Sequence, residues 1–203
     1  MKIILKIKIL IKVLIIISCS SHPSLAEKIS LNKISDYING LTTLQADFEQ
    51  INSDGSIDRG KLYIRRPGRM RLEYTAPNNA LVIAGAGSVA IFDDKSKNGP
   101  TLFPLKKTPL NLLLKKNVDL YKNEMITEHT ANNENTFIVA KDPKRKSQGS
   151  IKMVFSNSPV SLQGWTITNQ SNQKTKIILD KLDKKTKIPL YLFNISAASK
   201  NKN

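Results

Sequence analysis

The chain has 203 residues, enough for one domain with a sizeable hydrophobic core. It carries 32 basic against 16 acidic residues, with one cysteine and two histidines, and these counts exclude an intramolecular disulfide and a multi-histidine metal site. The lysines are spread along the chain without interleaved aromatic residues, which disfavours nucleic-acid binding and indicates a solvated basic surface or attraction to anionic lipid head groups.

Residues 1–26 have the layout of a secretory signal peptide. Four lysines and no acidic residue precede a short apolar run at 13–17, and small residues then lead to a cleavage site after Ala26. The apolar run is too short for a transmembrane helix, which needs roughly 20 apolar residues. Cys19 follows two isoleucines and a serine, as in a lipobox, so acylation of Cys19 is the alternative. We therefore expect export, either as a soluble protein or as a lipid-anchored one.

The segment after the signal begins with one helix and continues in short strands. Apolar residues at helical spacing predict an amphipathic helix over 29–42. Alternation of apolar and polar residues predicts strands at 44–50, 60–65, 69–74, 81–84 and 89–92. Asp54-Gly55 and Arg66-Pro67-Gly68 are the strongest turn signals between them.

The second half is predicted to contain one more helix and further strands. Thr108-Pro109 marks a helix start, with Thr108 as N-cap and with four leucines in the helix. The strands that follow are predicted at 118–128, 135–141, 151–155, 162–169, 174–180 and 188–194. The polar tail 196–203 is expected to be disordered.

Strands with a single apolar face need a cover on that face. One solution is a second sheet in a Greek-key sandwich, and the other is a strongly curved antiparallel sheet whose concave side is closed by the two apolar helices. The composition alone leaves both solutions open.

Enzyme chemistry is disfavoured. His129 is the one histidine after residue 26, and its polar neighbours indicate a strand end with a structural role. The sequence has no G-x-S-x-G, Walker A or H-E-x-x-H motif. We expect no catalytic residue, no cofactor and no metal.

The most specific pattern in the chain is an Arg-Pro-Gly-x-x-Arg block at 66–71 followed by the aromatic Tyr74. The segments that accompany it are 48–50, 60–64, 91–94, 108–114, 162–167 and 175–179. Together these stretches resemble the LolA-type outer-membrane lipoprotein carriers, and the resemblance covers nearly all of the chain after the signal. It implies a mainly β domain over 27–195, a curved antiparallel sheet forming an incomplete barrel, with a few short helices as a lid over an apolar cavity.

The resemblance also implies the roles of individual residues. Arg66 matches an arginine that latches the lid by hydrogen bonds to backbone carbonyls of the lid. Met70 and Leu72 match positions in the cavity wall, and Leu113 matches a position on the lid helix. The candidate residues of the acyl-chain cavity are Phe48, Leu62, Ile64, Met70, Leu72, Tyr74, Leu81, Ile83, Ile91, Leu110, Leu113, Leu114, Trp165 and Ile167.

The function that the resemblance implies is that of a monomeric periplasmic chaperone. Such a carrier takes acylated lipoproteins from an inner-membrane lipoprotein-releasing ABC transporter complex and brings them to the outer membrane, where the acceptor is left open. Two alternatives have the same fold: a lipid-anchored receptor acylated at Cys19, and a sensor domain that detects mislocalised lipoprotein.

Overall fold

The computed structural model describes residues 28–93, 99–142 and 149–202. The predicted signal peptide and Cys19 lie outside the described residues.

Within these ranges, eleven strands form one antiparallel sheet. They are β1 (Thr43–Ile51), β2 (Ile57–Arg65), β3 (Arg69–Tyr74), β4 (Leu81–Gly85), β5 (Ser88–Phe92), β6 (Thr101–Pro104), β7 (Ile126–Ala131), β8 (Asn135–Lys141), β9 (Ser150–Asn157), β10 (Val160–Thr168) and β11 (Lys174–Asp183). The spatial order is β6-β5-β4-β3-β2-β1-β11-β10-β9-β8-β7, so β6 and β7 are edges and the sheet does not close. The predicted fold class, a mainly β protein with an incomplete antiparallel barrel, is confirmed.

Three α-helices accompany the sheet in the described part of the chain: α1 (Leu31–Gly40), α2 (Asn111–Leu114) and α3 (Ile195–Lys202). Two 3₁₀ helices, Leu105–Lys107 and Leu190–Phe193, precede α2 and α3. α1 begins at the N-cap Ser30, whose side chain accepts a hydrogen bond from the backbone N–H of Lys33. Its apolar stripe is buried through Ile34 and Ile38.

The sheet has an inner face, which carries Leu44, Ala46 and Phe48 of β1, and an outer face on the opposite side. Side chains alternate between the faces along each strand, and cross-strand partners lie on the same face. The register Phe48↔Gly60 and Leu62↔Leu72 therefore continues the inner face from β1 into β2 and β3. α1 and the segment 105–120 cover this inner face.

The C-terminal segment covers the outer face of β4 and β5. Phe193 packs with four residues of these strands, Leu81, Ile83, Ala90 and Phe92. Arg65 and Arg71 donate side-chain hydrogen bonds to the carbonyls of Ile188 (2.6 Å) and Leu192 (3.2 Å).

Two predictions for the C-terminal segment are therefore wrong. Residues 188–194 form no strand, because they cross the outer face and do not pair with an edge. Residues 196–202, predicted to be disordered, belong to α3. Ile195 and Ala198 pack against the cluster around Phe193 on the outer face, which we call the outer cluster, and this packing favours the helix.

Three other local predictions differ from the structure. Residues 118–125 form no strand, and pairing in this region begins at Ile126. Thr108 does not cap a helix, because its hydroxyl donates to the carbonyl of Leu105 at 2.8 Å and α2 begins only at Asn111. Strand β6, which pairs with β5, was not predicted.

Candidate binding site beneath the lid

The inner face of the sheet is an apolar surface made by many strands. The buried residues that it contributes are Leu44, Ala46, Phe48, Leu62, Ile64, Met70, Leu72, Ala84, Val89, Ile138, Ala140, Ile151, Met153, Phe155, Leu162, Trp165, Ile177 and Leu179. Most are aliphatic residues or methionine, whose side chains adapt to irregular shapes. Such a wall can accommodate flexible hydrocarbon.

Two segments close this face, α1 and residues 105–120, and we call them together the lid. Leu113, Leu114 and Leu120 from the second segment are at most 1% exposed, and Ile34 and Ile38 of α1 are fully buried. These lid side chains occupy the apolar face in this structure. A hydrocarbon ligand would therefore enter by displacing the lid.

Arg66 joins both parts of the lid from the turn between β2 and β3. Its guanidinium donates to the carbonyls of Ile38, at the end of α1, and of Lys115, at 2.7 Å, directly after α2. Longer bonds of 3.4 Å reach the carbonyls of Leu41 and Lys116. Burial lowers the pKa of Arg66, and its Nε has no hydrogen-bond partner among the described residues. Arg66 therefore has backbone acceptors on both lid segments, and its role as a latch stays a prediction.

The turn itself supplies a second tie to the lid. The backbone N–H of Gly68 donates to the carbonyl of Leu114 at 2.8 Å. Gly68 has a φ of +74°, in the left-handed region where a side chain would be strained. The glycine of the Arg-Pro-Gly block thus orients a donor toward the end of α2.

Polar residues of α1 hold the second lid segment, and no sequence pattern identified them. The Asn39 amide donates to the carbonyl of Val118 (2.8 Å), and its oxygen accepts from the N–H of Val118 (2.9 Å). The hydroxyl of Ser35 accepts from the N–H of Leu120 at 2.9 Å. The lid is therefore one hydrogen-bonded unit, because α1 satisfies backbone groups of residues 118–120, which have no regular structure.

Tyr37 ties α1 to the opposite half of the sheet. Its hydroxyl accepts from the N–H of Leu162 at 3.0 Å, where the register between β9 and β10 shifts. Its ring packs edge-on against Phe155 with centroids 6.0 Å apart. The lid thus has attachments on both halves of the sheet.

An aromatic pair forms the wall at the end of the sheet away from Arg66. Gly60 lies between Phe48 and Tyr74 in the register, and their rings meet edge-on with centroids 5.0 Å apart. The Tyr74 hydroxyl donates to Gln50 at 2.6 Å. Burial, with a smaller effect from the Asp58 carboxylate, raises the pKa of Tyr74 to about 12.

Most of the predicted cavity residues lie in the buried inner cluster: Phe48, Leu62, Ile64, Met70, Leu72, Leu110, Leu113, Leu114 and Trp165. Tyr74 and Ile167 are half-buried at its border. The prediction is wrong for Leu81 and Ile83, which lie in the cluster around Phe193 on the outer face. They pair with Glu73 and Arg71 of β3, whose side chains are on that same outer face.

Ile91 lies outside the inner cluster. It pairs with Val82 on the inner side but is 38% exposed, in a cleft that Tyr74 and Asp58 also line.

The described ranges hold no cluster of three or more histidine, cysteine or acidic side chains able to bind a metal ion. In the same ranges no helix has the length and apolar character needed to cross a bilayer.

Comparison with known families matches residues 39–196 to the model of the outer membrane lipoprotein carrier protein LolA. The chain belongs to the LolA family. The matched segment includes Arg66, the whole sheet and the second lid segment. The family is described as one of carriers, not of enzymes.

Individual relatives of this LolA-family chain are distant. An outer-membrane lipoprotein carrier protein of Methylococcus capsulatus is 31% identical over 80 residues, 37% of this chain and 38% of that protein. An uncharacterized protein of Rickettsia prowazekii is 28% identical over 92% of this chain and 86% of its own length. A carrier protein of Chromohalobacter salexigens is 24% identical over 74% of this chain and 75% of its own. A solved LolA-superfamily protein from Nitrosomonas europaea covers 83% of this chain and 99% of its own, with 9% identity and a TM-score of 0.44.

Proposed function

We propose that this protein carries acylated lipoproteins through the periplasm from the inner to the outer membrane, with the acyl chains held on the inner face of the sheet. The observation that carries the proposal is the lid: a continuous apolar face is covered by separate segments, and the guanidinium of Arg66 donates hydrogen bonds to the ends of both of them. A protein whose core stayed closed would not need lid segments whose ends share one polar side chain as hydrogen-bond donor.

The energetics suit reversible binding. Each methylene buried contributes roughly 0.8 kcal/mol, so exchange of lid leucines for acyl chains replaces one buried hydrocarbon by another. Hydrogen bonds from a charged donor contribute about 1.5–3 kcal/mol each, enough to favour the closed lid without preventing its opening. Cargo release would then be assisted by reclosure of the lid over the emptied face.

The finer assignments are part of the proposal. The domain spans 27–195, and residues 1–26 act as a signal peptide that directs the chain to the periplasm. The donor is an inner-membrane lipoprotein-releasing ABC transporter complex, the carrier acts as a monomer, and the site performs no catalysis. The acyl-chain site comprises Leu62, Ile64, Met70 and Leu72 of the sheet with Leu113 of the lid.

Native mass spectrometry of the protein purified from envelope extract tests the proposal. We expect bound acylated species that are lost when the inner cluster is disrupted by Met70→Asp, because a carboxylate in an apolar wall costs several kcal/mol. An outer-face substitution in β2, Ile57→Asp, provides the control, since Ile57 is 49% exposed. Absence of acylated species from the folded wild-type protein would contradict the proposal.

The same spectra define the mature N-terminus. A mass that begins at Glu27 corresponds to the soluble carrier, whereas an acylated Cys19 corresponds to the lipid-anchored receptor.

A further inference from the structure

The outer face of the sheet differs between its two halves. Over β4 and β5 it is covered by Phe193 and its neighbours in the C-terminal segment. Over β8–β11 no described residue of that segment covers it, and the face forms an open groove of about 730 Å³. Among the strand residues that line it are Phe137, Val139, Lys141, Ser150, Lys152, Val154, Gly164, Thr166, Thr168, Lys174, Lys176 and Ile178. We call this surface the outer groove.

Strand register arranges the outer groove in three cross-strand rows. The row nearest the lid latch is apolar: Ile178, Gly164, Val154 and Phe137. The middle row is mixed: Lys176, Thr166, Lys152 and Val139. The row at the far end is polar: Lys174, Thr168, Ser150 and Lys141. Adjacent rows are about 6.7 Å apart along the strands, so cations lie beside an apolar strip on one face.

The cations of the outer groove are free to meet an external anion. Lys141, Lys152, Lys174 and Lys176 are exposed, and none of them forms an ion pair with another described residue. Lys152 lies 4.4 Å from the centre of the Phe137 ring, over the apolar row. Among the described residues that line the groove, Glu128 is the one carboxylate.

The kind of cation distinguishes between possible partners. Among the described residues the groove has lysines and no arginine. An arginine fork reads carboxylate or phosphate in a fixed geometry, whereas lysine is a mobile point charge on a long apolar stem. Mobile charges beside an apolar strip complement the phosphates and upper acyl carbons of an anionic bilayer more closely than they complement one acidic sequence.

We propose that the outer groove docks the protein on membranes rich in anionic phospholipid. The lysine rows contact the phosphates, and Ile178, Val154 and Phe137 contact the acyl region below them. The proposal rests on the carrier function, because a carrier that serves two membranes gains from reversible contact with each of them. It uses the face of the sheet opposite the acyl-chain site, so docking leaves the lid free to move.

Cosedimentation of the exported protein with vesicles tests the proposal. The probes are vesicles of 30% phosphatidylglycerol in phosphatidylcholine and vesicles of pure phosphatidylcholine. We expect binding to the anionic vesicles alone, weakened by salt and reduced at least about tenfold by the groove variant, whose substitutions are K141Q, K152Q, K174Q and K176Q. The control variant removes the same charge from exposed lysines elsewhere by K122Q, K185Q, K187Q and K200Q, and we expect it to lose less than about threefold.

Equal losses in the groove and control variants would overturn the proposal, since net charge alone would then explain the attraction. Equal binding to both kinds of vesicle would also overturn it. Absence of binding to either kind would overturn it as well, and an acidic protein would then be the better candidate for the groove. Ile178→Gln should weaken binding to anionic vesicles without altering its salt dependence, and an unchanged affinity would contradict the role of the apolar row. The carrier function is scored separately, because the groove variant should retain acylated cargo in native mass spectra.

Discussion

The guanidinium of Arg66 and the carbonyl oxygen of Lys115 are 2.7 Å apart, which links the turn between β2 and β3 to the end of α2. Because the same guanidinium also donates to Ile38 of α1, one side chain connects both lid segments to the sheet. Its acceptors are backbone carbonyls at helix ends, where regular intrahelical hydrogen bonding stops. Arg66 is therefore a hydrogen-bond donor shared by the ends of both lid segments.

Replacement of Arg66 by leucine should slow cargo release while leaving uptake largely intact. Loss of bonds worth about 1.5–3 kcal/mol favours the open, loaded state by roughly 10- to 100-fold. Transfer of a triacylated lipoprotein between donor and acceptor membranes measures the effect. Arg69→Leu is the control, because the Arg69 side chain donates to the nearby carbonyl of Pro67 (3.2 Å) and, in the described ranges, to no residue of the lid. Equal transfer rates for Arg66→Leu and wild type would contradict the latch.

Replacement of Asn39 by alanine should loosen the second lid segment. The change leaves both the N–H and the carbonyl of Val118 without their partner, at a cost of about 1–3 kcal/mol. Hydrogen exchange at 118–120 should accelerate by roughly 5- to 100-fold, while exchange in β9 and β10 stays unchanged. The matched control is Asn32→Ala, at an exposed position of the same helix. Unchanged exchange at Val118 would show that other contacts hold this segment.

Replacement of Gly60 by alanine should destabilise the fold. A Cβ at this position would collide with the carbonyl oxygen of Glu73 and would come within 2.8 Å of the Phe48 ring. Overpacking of this kind costs about 1–3 kcal/mol, measurable by urea denaturation. Gly40→Ala is the control and should stabilise the protein slightly. A Cβ added at Gly40 would have nothing within 4 Å, and alanine favours a helix over glycine by about 0.5–1 kcal/mol. Equal stabilities for the two variants would contradict the close approach at Gly60.

The stability contributed by Tyr74 should depend on pH. Its pKa is raised by burial to about 12, whereas an unfolded tyrosine ionises near about 10. The contribution is therefore complete below pH 10 and is lost as the pH rises from about 10 to about 12, by at most about 2–3 kcal/mol. The difference in unfolding free energy between wild type and Tyr74→Phe should shrink across this window. A constant difference would show that the phenol is not shielded from water.

Local pattern predicted β3 and β8 with their observed bounds, because β3 alternates between apolar and charged residues and the polar Asn135 and Lys141 delimit the apolar run of β8. The same reasoning predicted a strand from Leu81 to Ala84 but assigned its side chains to the wrong face. The run is apolar at every position, so it has no alternation that would define a face. Its outer side is decided by Phe193, more than a hundred residues later in the chain. Long-range cover of this kind leaves no local signal in the sequence.

The candidate site was predictable to a similar extent. Arg66 and Leu113 were identified through the family pattern. In the structure Arg66 bonds to both lid segments and Leu113 lies in the inner cluster, and their roles as latch and acyl-chain contact stay predictions. Asn39 and Ser35 were missed, because a polar residue on an amphipathic helix ordinarily faces solvent. Their partners are backbone groups of the segment 118–120, and only the folded chain brings these together.

The central claim is that the inner face receives acyl chains, and photo-crosslinking of the unmodified protein tests it most directly. A triacylated lipopeptide with a diazirine in its acyl chains would be bound and irradiated, and the modified residues mapped by mass spectrometry. The account predicts crosslinks to inner-face and lid residues such as Met70, Leu72 and Leu113, with none to Ile83 or Phe92 on the outer face. Crosslinks concentrated on the outer face, or none in the folded protein, would contradict it.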